Sequence, residues 1–405
     1  MARTVATLPA GTRVTDYISL GVVAKTFPRA QIDAVLAATQ RTSARQRDLP
    51  AHVVVYYVMA LALYMQSSYR EVLHCLVEGL QWVYGPAAVR VAGKSGISQA
   101  RTRLGAEPLQ RLYDEAVRPI AVPATQGAWY RQWRVLSLDG SHLDVADTAA
   151  NVAAFGRPQT ARGASAYPQL HMVSLVENGT HVLIGAALGR CDAAETELAR
   201  RVLPRLTAGM LCLADRLFFG QALWRQGCET GADLLWRVKA GRLLACHQVL
   251  PDGSYLSAVY ASDADRRHDR QGTPLRVIDY HLEGVADAAP IYRLVTTILD
   301  PARAPAAELA ALYHERWEIE TAFDELKTHL RGARVVLRSK TPDLVRQECY
   351  GLLLAHFAVR GLMHEAALTA EVDPDTLSFL HAVRVVRRKL PQFAAFPPRG
   401  SAGLS

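Results

Sequence analysis

Cysteine is scarce in this sequence and never grouped. Cys75, Cys191, Cys212, Cys228, Cys246 and Cys349 are scattered over 405 residues with no CxxC pair. That excludes a zinc-ribbon or disulfide framework and fits a reducing compartment, so a cytoplasmic protein is expected. Long apolar runs are missing as well. The longest, Val53 to Met65, is shorter than the about 20 residues that span a bilayer, so no membrane partner is expected. No cationic start followed by an apolar segment opens the chain, which reads as no signal peptide. Gly93-Lys94-Ser95 looks like the end of a phosphate-binding loop, but position 88 is alanine and no strand precedes it, so that reading falls. No internal repeat is found.

The composition is that of an ordinary soluble globular protein, half hydrophobic and about a fifth charged. A net charge of +8 is compatible with a polyanionic partner. The length allows two or three domains. Residues 1–125 read as helical: an apolar helix Ala51 to Gln66, an amphipathic one over Tyr69 to Val83, and one over Ser98 to Val117 with Ser98 as its N-cap. Arg101 and Arg103 lie near that start and are expected to face an open groove.

From Trp133 the period changes. Trp133 to Leu138 reads as a strand ending in Asp139-Gly140-Ser141. Gln169 to Val176 and His181 to Leu188 read as a hairpin turning at Glu177-Asn178-Gly179. Then come a helix (Ala193 to Leu206), a short apolar strand (Met210 to Ala214) ending in Asp215-Arg216, a helix (Phe219 to Gly227) and a strand (Asp233 to Val238). This order predicts an α/β core over 126–239 whose sheet is largely parallel after the hairpin. Residues 240–304 alternate in short segments and read as a β-rich insertion. The core resumes over 305–340, and 341–405 read as helical, with a basic helix (Arg384, Arg387, Arg388, Lys389) and a Pro/Gly/Ser-rich tail expected to be disordered.

Three acids stand out. Asp139 and Asp215 each follow an apolar strand, where parallel sheets place their sites. Glu320 lies on the predicted helix Leu312 to Leu330. At about 100° per residue, Tyr313, Arg316, Glu320 and Lys327 fall on one narrow ridge beside an apolar stripe of Leu312, Ile319, Phe323, Leu326 and Leu330. Glu315, Glu318, Glu325 and His329 take the opposite side. Clustered carboxylates need cations, and oxygen-only ligands suit Mg²⁺ or Mn²⁺ rather than zinc. Two such ions would serve phosphoryl transfer. Asp144, Asp147 and Asp192 are rival carboxylates, and Arg316 with Glu320 also reads as a plain i,i+4 pair.

The spacing Tyr313, Arg316, Glu320, Lys327 resembles the Y-R-E-K signature of the transposases of insertion-sequence family 4. LDGSHLDVAD (138–147) with FGRP (155–158) resembles the family's first-aspartate segment, and LADRLFFG (213–220) its second. YREVLHCLVEGL (69–80), SQARTRLG (98–105) and RSKTPDLVRQECYGLLLAH (338–356) resemble its flanking regions. The resemblance spans about residues 15 to 390. It implies an RNase-H-like core, a mixed sheet flanked by helices, interrupted by the β-rich insertion. It also implies Asp139, Asp215 and Glu320 as ligands of two Mg²⁺ ions, with Mn²⁺ as a substitute. Tyr313, Arg316 and Lys327 would contact DNA phosphates. Tyr292 or Trp236 would stack an extruded base during hairpin formation, with core packing as the other reading of each ring. The expected activity is cleavage and strand transfer of double-stranded DNA at the ends of the chain's own element, by a homodimer on DNA, with residues 1–125, through Arg101 and Arg103, recognising the ends. A structure-specific Mg²⁺ nuclease and an inactive transposase-derived DNA-binding protein are the alternatives.

Overall fold

The structure, a computed structural model, describes residues 19–43, 49–65, 67–73, 76, 94–160, 163–239, 241–268, 270–281, 291–332 and 336–388. Most of the expected helix Tyr69 to Val83, Gly93, Lys389 and the expected tail lie outside these residues. The helices described are α1 (Ser19–Thr26), α2 (Arg29–Ala38), α3 (Ala51–Leu63), α4 (Lys94–Leu104), α5 (Glu107–Ala116), α6 (Ala149–Phe155) and α7 (Glu195–Val202). They continue as α8 (Gln221–Glu229), α9 (Asp263–Arg267), α10 (Ala306–Leu312), α11 (Glu318–Asp324), α12 (Pro342–Ala370) and α13 (Phe379–Arg388). None is long and apolar enough to cross a membrane.

The apolar helix α3 has no polar face because it has no exposed face: every residue from Val53 to Leu63 is buried. The long α12 crosses it closely. A Cβ at Gly351 would stand 2.7 Å from Val58 Cγ1 and 2.9 Å from the Val58 carbonyl oxygen, so only glycine permits that approach. The helix expected over Ser98 to Val117 is two helices. Gly105 takes a φ of +72° and ends α4, so Ser98 lies inside that helix instead of capping it. Gln347 of α12 serves this break, its amide donating to the carbonyls of Arg101 (3.0 Å) and Gly105 (2.7 Å).

Among the described residues ten strands form one mixed sheet, in the order β6 (Val182–Arg190), β5 (Gln169–Glu177), β2 (Trp133–Asp144), β7 (Met210–Ala214), β8 (Asp233–Val238), β12 (Tyr292–Thr296), β11 (Thr273–Tyr280), β10 (Tyr255–Val259), β9 (Gln248–Val249), with the two-residue β1 (Trp129–Tyr130) beside β2. Five are the expected core strands: β2 (Trp133–Asp144), β5 (Gln169–Glu177), β6 (Val182–Arg190), β7 (Met210–Ala214) and β8 (Asp233–Val238). Counted along the chain they stand 3-2-1-4-5, with only the second reversed. That is the order of an RNase-H-like sheet, as expected. A small two-stranded ribbon, β3 (Gln159–Thr160) with β4 (Gly163–Ala164), stands in the expected loop.

The β-rich stretch contributes β9 (Gln248–Val249), β10 (Tyr255–Val259), β11 (Thr273–Tyr280) and β12 (Tyr292–Thr296). β12 pairs antiparallel with β8, so these strands widen the core sheet at its edge. The side chains alternate between two cores, as the pleat requires. Leu136, Leu138, Cys212 and Ala214 join the larger core. Trp133, Val135, Leu211 and Leu213 join a smaller one on the other face, with Leu309 and Tyr313.

Candidate active site

β2 does not stop at Asp139. It runs to Asp144, held by β5 along its far half, while its parallel partner β7 ends at Ala214. Leu138 is registered against Ala214, so the next residues are Asp139 on β2 and Asp215 just past the end of β7. Both continue the odd-numbered series that faces the smaller core and the signature segment. The sheet thus carries two carboxylates side by side at the point where the parallel pairing opens.

The signature segment is helical throughout but not regular. α10 passes into a 3-10 turn (Tyr313–Trp317), then α11, then a π-helical turn (Glu325–Leu330). A 3-10 turn eclipses residues three apart, which lines up Tyr313 and Arg316. The apolar stripe is as expected: Ile319, Phe323, Leu326 and Leu330 are buried and Leu312 half-buried. Arg316, 8% exposed, donates to Asp139 Oδ2 at 3.0 Å and lies 3.5 Å from Glu320 Oε1. The i,i+4 pair is therefore present, and the same guanidinium reaches across to the sheet. Burial works against its charge, but Tyr313, Asp139, Asp215 and Glu320 outweigh that and raise its pKa.

Burial pushes the Asp139 carboxyl up; the Gly140 N–H and Arg316 hold it down, and Glu195 and Asp215 push it up again. Asp215 Oδ1 is buried without a hydrogen-bond partner. Adjacent carboxylates, one with an orphaned oxygen, are donors of the kind that suits a hard divalent cation. The rival carboxylates are engaged elsewhere: Asp144 accepts from Gln169 Nε2 (2.8 Å), Asp147 from Arg157 (2.5 Å), and Asp192 from Arg190 (3.0 Å).

Tyr313 and Lys327 differ from expectation in this structure. The Tyr313 hydroxyl donates to the Ala214 carbonyl (3.3 Å), the residue before Asp215, and the ring is buried, which raises its pKa. It fixes the strand end and does not face solvent. Lys327 Nζ donates to Ser141 Oγ at 2.9 Å. Ser141 is one pleat repeat, about 7 Å, beyond Asp139 on the same strand face, and nothing in the sequence marks it. Burial lowers the Lys327 pKa. Glu195 also stands close: a Cβ at Gly140 would meet its Oε1 at 2.5 Å. Its place at the start of α7 gave no signal in the sequence.

On the opposite side of the signature helix Glu325 is buried and Glu318 half-buried, while Glu315 is exposed. Glu325, in the π turn, takes two hydrogen bonds from the guanidinium of Arg360, one of them 2.8 Å from Nε. His356 Nε2 lies 3.2 Å from the same carboxylate. Burial pushes Glu325 up, with Asp375 and Asp324 adding to it, and pushes Arg360 down, to about 10, against the opposing charge of Asp375. Glu318 accepts from the Gly179 N–H.

The family profile described as Insertion element 4 transposase N-terminal matches residues 17–114, and the one described as Transposase DDE domain matches residues 131–358. The chain belongs to the IS4 family of DDE transposases. It is 30% identical over 363 residues to the transposase InsG for insertion sequence element IS4 of Escherichia coli (strain K12), covering 89% of this chain and 80% of that protein. It is 23% identical over 232 residues to the putative transposase InsZ of the same strain, covering 57% of this chain and 75% of that one. A cryo-EM structure of the piggyBac transposase synaptic complex with hairpin DNA aligns with a TM-score of 0.48 at 12% identity, over 92% of this chain and 79% of that chain. That likeness is too loose to carry an argument.

Within the transposase, two residue expectations are corrected. Trp236 is fully buried and packs edge-on against Trp224 at 5.3 Å, so it belongs to the core and offers no ring to a base. Arg101 and Arg103 sit in the last turn of α4, not at its start. Arg103 is exposed, but Arg101 is 2% exposed and bonds to Gln347 Oε1 (2.9 Å), Ser339 Oγ (2.9 Å) and the Leu344 carbonyl (3.3 Å). It ties α4 to α12 instead of facing an open groove. Arg101→Met is expected to cost about 2–3 kcal/mol, because it strands buried acceptors of a charged donor, and to leave DNA affinity unchanged. Urea unfolding beside a DNA titration checks this; unchanged stability with weakened binding would return Arg101 to the DNA surface. Tyr292 is half-buried, 5.5 Å from the Tyr280 ring, with the Arg237 guanidinium 4.8 Å from its centroid.

Proposed function

We propose that this transposase binds the ends of its own insertion sequence and cuts and joins DNA there by two-metal phosphoryl transfer at Asp139, Asp215 and Glu320. The observation that carries the reading is the register that sets Asp139 beside Asp215, with Arg316 joining Asp139 to Glu320. Two Mg²⁺ ions, for which Mn²⁺ substitutes, would be held by these three carboxylates and would supply activation of the attacking oxygen and neutralisation of charge at the leaving oxygen. The chain's own residues then have separable tasks. Arg316 places a fixed guanidinium beside the reacting phosphate and balances the carboxylates when no DNA is present. Lys327 offers an ammonium to the neighbouring phosphate, releasing Ser141. Tyr313 holds the end of β7, and so Asp215, in place.

The proposal keeps residues 1–125 as the end-recognition region, 126–239 and 305–340 as the catalytic core, 240–304 as the insertion, and 341–405 as the C-terminal region. Two copies would act together on DNA. Tyr292, on the insertion and beside Arg237, is the aromatic left for stacking an extruded base along a hairpin route.

End cleavage is expected to stop in excess EDTA and to return with Mg²⁺ or Mn²⁺. Ca²⁺ should support binding with little cleavage, because its longer and looser coordination holds the oxygens poorly. Full cleavage in EDTA would contradict the proposal. Lys327→Ala is expected to weaken end binding and to lower the log–log salt slope of affinity by about one unit. An unchanged slope would leave Lys327 as a partner of Ser141 alone.

A further inference from the structure

Across the signature helix from the carboxylates of the reaction, three side chains from separate parts of the chain converge. His181 comes from the turn just before β6, Glu318 from the first turn of α11, and Asp375 from the short turn Pro374–Thr376. One donor atom of each lies within 4.8 Å of the others. His181 Nε2 stands 3.1 Å from Asp375 Oδ1 and 3.7 Å from Glu318 Oε2. It nevertheless makes a hydrogen bond to neither, and its ring is only 3% exposed. Two donors that share one ion at about 2.1 Å each stand roughly 3.0–3.4 Å apart for octahedral to tetrahedral angles. The Asp375 separation falls in that interval and the Glu318 separation is a few tenths of an ångström longer.

The surroundings supply the rest of such a site. Among the described residues, Glu318 and Asp375 have no ion pair except with His181, and the hydrogen bonds of Arg360 to a carboxylate go to Glu325. On the other side of the ring, His181 Nδ1 lies 3.2 Å from Glu325 Oε1, the carboxylate–imidazole order that orients metal-binding histidines.

We propose that His181, Glu318 and Asp375 hold one divalent transition-metal ion of the zinc type. The imidazole selects against Mg²⁺, so the site is chemically distinct from the all-oxygen triad. Its role is structural: it fastens the signature helix to β6 and to the segment between α12 and α13, and so fixes the helix that carries Arg316 and Glu320. Arg360 also touches His181 Nδ1. A ring that donates its Nδ1 proton to Glu325 presents the Nε2 lone pair to the ion. A ring that accepts from Arg360 turns an N–H toward Asp375 and binds none.

Zinc titration of the full chain in millimolar Mg²⁺, read by competition with a chromophoric chelator, separates the two. The expected result is one zinc per chain, kept in Asp139→Asn and weakened at least about tenfold in Asp375→Asn. Zinc should also raise the unfolding temperature of the parent and not that of Asp375→Asn. Asp375 lies at the rim, with 32% of its side chain exposed, so the asparagine is expected to fold; Glu318→Gln is the second variant. The visible bands of a Co²⁺-loaded parent chain, showing nitrogen ligation, keep the test independent of any variant. No zinc bound by the parent, equal affinity in Asp375→Asn, or binding lost in Asp139→Asn would each overturn the proposal.

Discussion

Replacing Asp139 or Asp215 by Asn, or Glu320 by Gln, is expected to abolish end cleavage and leave end binding intact. Metal ligands act on charge that develops in the transition state, a contribution of several kcal/mol, so the rate should fall by at least about three orders of magnitude. Binding draws on phosphate contacts spread over the surface and should change little. Stability should hold, because Asp139 is partly buried beside another carboxylate and a neutral side chain of the same shape removes repulsion. Asp144→Asn, Asp147→Asn and Asp192→Asn are the controls: their partners are Gln169, Arg157 and Arg190, and cleavage should continue. Single-turnover cleavage and a DNA titration for the six variants decide the matter. Residual cleavage within tenfold of the parent removes a residue from the triad.

Arg360→Met is expected to give the largest loss of stability of any change discussed, about 3–5 kcal/mol, without touching the reaction centre. Arg360 and Glu325 are 2% and 5% exposed, and the guanidinium gives the carboxylate two hydrogen bonds. Removing it leaves a buried carboxylate with no cation. The pair joins the π turn of the signature segment to α12. The double change Glu325→Leu with Arg360→Met should recover much of the loss, since a matched apolar pair costs less than a broken ionic one. Denaturant unfolding of both variants measures the difference. A cost under about 1 kcal/mol for Arg360→Met would mean that the carboxyl is already neutral in the folded chain.

What could be read from the sequence was local and periodic. Apolar runs ending in Asp139 and Asp215, and a helical stripe from Leu312 to Leu330, specify the core and the side chains that meet in it. What could not be read depends on partners far along the chain. Asp139 looked like a strand end because the apolar run stops there; β2 continues because β5, some 30 residues later, pairs with its polar half. Nothing nearby in the sequence gives Glu325 its partners, because His181 and Arg360 are supplied from 144 and 35 residues away. Arg101 likewise owes its burial to Gln347, 246 residues on. The β-rich character of residues 240–304 was legible, but not the antiparallel contact of β12 with β8 that makes the stretch part of the core sheet.

The most direct test of the account supplies the purified transposase with a duplex carrying its element end, a target plasmid and Mg²⁺, and looks for the end joined to the target. Joined product is expected with the parent chain, none in EDTA, and none with Glu320→Gln at equal end occupancy. End cleavage without joined product would reduce the chain to a nuclease, and joined product at parental yield with Glu320→Gln would contradict the assignment of the site.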